Sequence, residues 1–210
     1  MTSKPNQKNI LNALGLISRL RRAPEEHKGH AGKVILVGGS AGMAGALLLA
    51  GNACLHLGAG WTILEMLDPA SAHVDPSQPE LMIHSAHTNP AEFLNQNQPD
   101  VLAIGPGLGH SSSAVEWLKA SLLYQNIPLI IDADALNLIA NSNDLLGALQ
   151  LRNQHYPGQS VLTPHPGEAA RLLGQSPSDI QADRLDAIRK LVSSTQSIVI
   201  LKGQHSLICA

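Results

Sequence analysis

One recurrence constrains this chain more than any other feature: short runs of Val, Ile and Leu, each too short for a helix, each ending in glycines or a polar cluster. Val34-Ile35-Leu36-Val37 runs into Gly38-Gly39-Ser40-Ala41-Gly42-Met43-Ala44-Gly45, and Val101-Leu102-Ala103-Ile104 into Gly105-Pro106-Gly107-Leu108-Gly109. The run over 128–131 is followed by Asp132-Ala133-Asp134, Ser160-Val161-Leu162 by Thr163-Pro164-His165-Pro166-Gly167-Glu168, and residues 198–201 by Lys202-Gly203. Continuous apolar runs predict strands buried on both faces, the condition of a parallel sheet covered by helices. Helical patterns over 45–57, 114–123 and 179–192 fall between them, Gly58-Ala59-Gly60 closes the first, and further strands are predicted at 61–66 and 81–83. The alternation predicts a three-layer α/β fold with a mainly parallel sheet. Ligands of such sheets bind beyond the carboxyl ends of the strands, so the clusters that close the runs are the candidate site.

The chain's 210 residues suit one domain. It divides into an N-terminal arm over 1–26, where Ile10, Leu11, Leu14, Ile17 and Leu20 make a helical stripe, and a domain over 27–210. Residues 1–24 of the arm carry Lys4, Lys8, Arg19, Arg21 and Arg22 without an acid, a superficial likeness to a transit peptide, but the stripe reads better as a helix packing on the domain or a neighbouring subunit. Fourteen basic against 16 acidic side chains leave no electrostatic footprint for nucleic acid. The longest apolar stretch, 44–57, is interrupted by Asn52 and His56 and is too short to span a bilayer, so no membrane segment is predicted. Cys54 and Cys209 are too few for a disulfide framework and imply a reducing, cytoplasmic setting; Cys54 falls in a run that reads as a buried helix.

Glycines at a strand end let the backbone approach a ligand and aim amide N–H groups at it. Gly38-Gly39-Ser40 matches neither the Walker A pattern nor a dinucleotide fingerprint, so the loop alone does not name its ligand. Asp132 stands where a carboxylate can orient a substrate or hold Mg²⁺ through water, whereas Asp134, just before Ala135-Leu136-Asn137-Leu138, reads as a helix N-cap. His165, held between Pro164 and Pro166, is a rigidly presented imidazole, and Lys202 places an ammonium at the sheet edge as a phosphate contact. The other nine histidines show no metal-ligand spacing, and no metal site is predicted.

Taken in order, His27-Lys28-Gly29-His30-Ala31-Gly32-Lys33, the loop from Gly38, Gly58-Ala59-Gly60, Pro79-Glu80-Leu81-Met82, Gly105-Pro106-Gly107-Leu108-Gly109, Asp132-Ala133-Asp134-Ala135-Leu136, Thr163 to Glu168, and Leu201-Lys202-Gly203 resemble the ADP/ATP-dependent NAD(P)H-hydrate dehydratases. The resemblance implies a ribokinase-like fold and repair of hydrated NADH or NADPH with ADP or ATP, and Mg²⁺, as co-substrates. It implies a substrate site at Gly39, Ser40, Ala46, Gly107, Asp132 and His165, and a nucleotide site at Lys202, Gly203, Gln204, His205 and Ser206. A homo-oligomer, such as a tetramer, and an NAD(P)H-hydrate epimerase as functional partner are also implied. In this family a Gly-Gly-Thr-Gly-Asp turn follows Lys-Gly and carries the catalytic Asp; these 210 residues contain no Gly-Thr-Gly-Asp, so the catalytic residue is unassigned. The expectation is a C-terminally incomplete domain that alone is inactive or very weak. The competing readings are a vitamin-precursor kinase of the same superfamily and a non-catalytic nucleotide-binding or assembly protein.

Overall fold

The computed structural model describes residue 25 and residues 28–210, so the stripe over 10–20, the boundary at 26 and His27 lie outside the described residues. A 3-10 turn, Lys28–Ala31, leads into β1 (Lys33–Gly38), α1 (Ala44–His56), β2 (Trp61–Met66), β3 (Met82–Ser85), α2 (Pro90–Asn97), β4 (Val101–Ile104), α3 (Ser112–Leu123) and β5 (Leu129–Ile131). Then come α4 (Asp134–Ala140), α5 (Asn143–His155), β6 (Ser160–Leu162), α6 (Pro166–Leu173), α7 (Pro177–Ala182), α8 (Arg184–Thr195), β7 (Ile198–Leu201) and β8 (Leu207–Cys209).

All eight strands join one sheet in the order β3-β2-β1-β4-β5-β6-β7-β8. β1 to β7 pair in parallel, and β8 returns antiparallel along β7. The chain winds outward from β1 through β2 to β3, then crosses back to start again at β4. The switch point therefore lies between β1 and β4, where the connections leave in opposite directions and open a crevice.

The sequence places the helix ends. Past α1, Gly58 takes φ +99°, its N–H donates to Leu55 O at 2.9 Å and that of Ala59 to Cys54 O at 3.0 Å. That double bond is a Schellman closure, the role read for the Gly58-Ala59-Gly60 segment. Side-chain oxygens of Asn89, Ser111, Ser142, Ser176 and Asp183 cap the amide ends of α2, α3, α5, α7 and α8.

Three expectations are corrected. The single helix read over 179–192 is two, because Asp183 (φ −143°, ψ 84°) leaves helical geometry and accepts from Asp186 N–H as the cap of α8. α1 is not a buried helix: Leu47 and Gly51 are its buried residues, Leu49 is 72% exposed, and Cys54 is half-buried, enough that burial pushes its thiol above the ordinary value. Burial of every strand on both faces holds only in part. Leu102, Ile104, Leu129, Ile131, Leu162, Val199 and Leu201 lie in the large core against the helices. Ala103, Ile130 and Val161, in register with Leu36 on the other face, are only partly buried. Leu36 itself belongs to a smaller core with Leu47 of α1 and Leu64, Met66, Leu81 and Ile83.

Candidate active site

The loops after β1 and β4 meet across the switch point backbone to backbone. Gly39 N–H donates to Pro106 O at 3.0 Å and Ser40 N–H to Gly107 O at 2.6 Å, while Gly105 N–H reaches back to Val37 O at 3.1 Å. Such an approach excludes side chains. A Cβ on Gly38 would stand 2.1 Å from Pro106 O, and one on Gly107, at φ +60°, 2.7 Å from Met43 O. Ala46, the outer residue read into this part of the site, is exposed on the first turn of α1.

The third loop is built against the second. A Cβ on Gly105 would lie 1.8 Å from Asp132 O. Asp134 is not the N-cap it was expected to be. Ala133 occupies that position, and the Asp134 carboxylate instead accepts the Gly109 N–H at 2.9 Å, tying the Gly-Pro-Gly-Leu-Gly loop to the start of α4. Ala133 has φ +49° and ψ −121°, a conformation that suits glycine, so the turn between the two aspartates carries strain of about 1–3 kcal/mol.

Asp132 leads to the remaining loops. Lys202 Nζ is 2.6 Å from Asp132 Oδ1 and 3.9 Å from Glu168 Oε2, and the Lys202 N–H donates to Pro164 O at 2.8 Å. Glu168 is buried, and its Oε2 accepts the His165 N–H at 2.7 Å. His165 does two things at once. Its Nδ1 accepts the N–H groups of Gly167 and Glu168 at 2.9 and 3.3 Å, capping α6, while the side chain stays 52% exposed. Its Nε2 stands 3.2 Å from Glu168 Oε1, so both ring nitrogens have partners on α6 while half of the side chain stays open.

The five expected loops thus come together at one end of the sheet, joined in the chain Gly39/Ser40 to Gly107, Gly105 and Gly109 to Asp132 and Asp134, then Lys202, Glu168 and His165. Gly203, Gln204, His205 and Ser206 form the exposed turn between β7 and β8, beside Lys202. Sequence reasoning missed Arg184, whose guanidinium donates to Leu201 O at 3.1 Å and Lys202 O at 3.3 Å and fills the space a Gly203 side chain would need. No local signal marks it, because it reaches this turn from the first residue of α8. Histidine spacing along the chain also gave no hint that Glu65, His84 and His87 bring possible metal-ligand atoms within 4.8 Å of one another.

Other motifs of the resemblance stand at the opposite end of the sheet. Lys28 Nζ lies 5.0 Å from the Trp61 ring centroid, and a Cβ on Gly60 would be 1.6 Å from Lys28 O. Pro79 and Glu80 line an open groove of about 710 Å³ there with Lys28 and Trp61. That groove is at the amino ends of the strands, where this architecture does not place its ligands.

Known proteins similar in sequence or in fold point to one family. A bifunctional NAD(P)H-hydrate repair enzyme of Moorella thermoacetica is 37% identical over 212 residues, covering 96% of this chain and 39% of its own length. The ADP-dependent (S)-NAD(P)H-hydrate dehydratase of Neisseria meningitidis is 36% identical over 193 residues, covering 90% of this chain and 62% of its own. Among solved structures, a ribokinase-like superfamily protein of Enterococcus faecalis superposes with TM-score 0.72 at 29% identity, over 90% of this chain and 63% of that one. The ADP/ATP-dependent NAD(P)H-hydrate dehydratase of Bacillus subtilis, co-crystallised with ATP/Mg²⁺, superposes with TM-score 0.71 at 27% identity, over 90% and 64%. This chain thus spans well under half of the bifunctional relative and under two thirds of the other three. The sequence profile described as NAD(P)H-hydrate dehydratase matches residues 34–210, from the first strand of the sheet through all five loops of the cleft, and on that match the chain belongs to the NAD(P)H-hydrate dehydratase family.

Proposed function

We propose that this domain serves nucleotide-dependent dehydration of hydrated NADH or NADPH, with the hydrate seated on the loops after β1, β4 and β6 and the nucleotide at Lys202 and the β7–β8 turn. The observation that carries the reading is the pairing at the cleft's centre: Lys202 stands 2.6 Å from Asp132, between the glycine loops and His165. Hydroxide is a poor leaving group. Transfer of the nucleotide's terminal phosphoryl group to the ring hydroxyl converts it into a phosphate ester, and loss of phosphate with a proton from the neighbouring carbon restores the reduced nicotinamide. Phosphoryl transfer asks the protein for position and charge neutralisation more than for covalent chemistry.

The groups suit that demand. Gly39, Ser40 and Gly107 offer backbone with little side chain of its own for the nicotinamide end, Met43 and Ala46 border it, and Asp132 orients a polar edge. His165 turns the exposed part of its ring to the hydrate. Lys202 neutralises phosphate while Gly203, Gln204, His205 and Ser206 face the adenine nucleotide. Mg²⁺ takes oxygen ligands and keeps several waters. Asp132, whose side chain is 31% exposed, has the right donor chemistry to hold the ion through water beside the phosphates, and the ion would supply further charge neutralisation.

Three finer readings go with this one. A cytoplasmic setting is supported by two free cysteines; among the described residues no helix is long and apolar enough to cross a membrane. A homo-oligomer is supported by Leu49 and Leu57, 72% and 70% exposed on and just beyond α1. An NAD(P)H-hydrate epimerase is the functional partner we propose, in keeping with relatives named as bifunctional repair enzymes.

The test combines binding and turnover. The protein is expected to bind hydrated NADH or NADPH saturably, and ADP or ATP at a separate subsite that tolerates both ligands together. Phosphorylation of a vitamin-precursor alcohol, with no binding of the hydrate, would replace this reading with the kinase one. In the same mixture with Mg²⁺, the reduced-nicotinamide absorbance reports turnover. Nucleotide-dependent recovery would overturn the expectation that these 210 residues alone are inactive or very weak, and binding without recovery would support it.

A further inference from the structure

The cleft leaves unused a carboxylate that the fold has taken entirely out of water. Glu65, on β2, is 0% exposed. Its Oε1 lies 3.0 Å from His84 Nδ1, and its Oε2 lies 2.7 Å from His87 Nδ1 and accepts the His87 N–H at 3.0 Å. Parallel pairing sets Glu65 directly opposite His84 on β3, and His87 follows just after that strand. The His87 ring is held by stacking on Phe93, centroids 4.1 Å apart at 27°, and His84 meets the same ring edge-on at 6.3 Å. Both histidine side chains are open on their outer sides, at 37% and 47% exposure.

We propose that Glu65, His84 and His87 form a binding site for a divalent transition-metal ion of the Zn²⁺ type, with solvent water completing the shell. Nitrogen and oxygen ligands at about 2.0–2.2 Å from one ion stand roughly 2.9–3.4 Å from each other, and the two Nδ1 to oxygen separations are already close to that. The donor set of two imidazoles and a carboxylate selects Zn²⁺, Co²⁺ or Ni²⁺ over Mg²⁺ or Ca²⁺, which take oxygen. The protons balance: a neutral imidazole that now donates from Nδ1 moves its proton to Nε2 and turns the Nδ1 lone pair to the metal, and the carboxylate offsets one of the two positive charges. The ion pins edge strand β3 to β2. β2 runs on into Leu67 and Asp68, whose N–H groups donate to Gly38 O at 2.8 Å and Gly39 O at 3.0 Å, so the site braces the first loop of the cleft from behind. The alternative use of the same atoms is a metal-free hydrogen-bonded cluster that satisfies a buried carboxylate.

The experiment is a titration of chelator-stripped full chain with Zn²⁺ alone, and separately with Co²⁺. The proposal predicts a single saturable equivalent of Zn²⁺ per chain, a higher melting temperature, visible Co²⁺ absorption of a nitrogen-ligated ion, and Zn²⁺-shifted ring ¹⁵N resonances confined to His84 and His87. The double variant His84→Gln, His87→Gln is expected to lose the stoichiometric binding while still melting cooperatively. No saturable Zn²⁺ binding, unchanged binding by the double variant, or shifted resonances from other histidines would each overturn it. If the double variant fails to fold, the resonances of the unmodified chain decide.

Discussion

At the scale of the residue, the cleft is made by side chains that are absent and by a few that hold two partners. Ala133 is the exception to the glycine pattern, with φ +49° where glycine would rest without strain. Ala133→Gly is expected to raise stability by about 1 kcal/mol, read as a higher melting temperature, and a lower one would contradict the strain. His165 combines a cap with a half-exposed ring, and the two roles separate by substitution. His165→Ala loses the cap and about 1 kcal/mol, whereas His165→Asn keeps an acceptor and most of the stability; both weaken hydrate binding if the ring touches the substrate. Lys202 pairs with Asp132 while 39% exposed, so its contribution to folding is discounted for solvent. Lys202→Met is therefore expected to change stability by about 1 kcal/mol or less and to weaken ADP or ATP binding by about tenfold or more. Equal loss of stability with unchanged nucleotide affinity would make the lysine structural.

At the scale of the element, the sequence reveals strands better than helix boundaries. β1, β4 and β7 were legible because an apolar run too short for a helix and closed by a polar cluster fits little besides a buried strand. The break between α7 and α8 was not, because the apolar spacing of Ile180, Ala187, Ile188 and Leu191 passes across Asp183 and only the cap geometry interrupts it. Asp183→Ala is expected to cost about 0.5–2 kcal/mol in a denaturant melt. The anchoring of α5 was also hidden. Arg152 is 4% exposed and donates to the carbonyls of Leu122, Tyr124, Gln125 and Ile127, closing the connection from α3 to β5. Burial pulls its guanidinium below the ordinary value, yet the carbonyls keep it in place. Arg152→Met would leave them without a donor and is expected to cost about 2–4 kcal/mol. A cost near zero would show that water replaces the guanidinium.

At the scale of the whole molecule, one topological fact turns scattered motifs into a site. The order β2-β1-β4-β5 puts the Gly38 and Gly105 loops side by side at the switch point, and parallel pairing brings the ends of β5, β6 and β7 to the same rim. The positions of Gly39, Gly107, Asp132, His165 and Lys202 followed from the sequence because each closes an apolar run. What they touch did not, since Lys202 and Asp132 are 70 residues apart and Asp134 gave up its expected cap for a loop 25 residues before it. Glu65, His84 and His87 were illegible for the same reason: they converge only through strand pairing. The half-buried stripe of Ala103, Ile130 and Val161 likewise emerges only from the sheet register. On the proposed function, the five-loop cleft receives the hydrated cofactor. Calorimetric titration of hydrated NADH into the chain and into Gly107→Val, which sets a side chain against Met43 O, tests it most directly. Saturable binding by the unmodified chain is expected, with its loss in a variant that still melts cooperatively; binding left intact in that variant, or no binding by either protein, would refute the cleft as the hydrate's site.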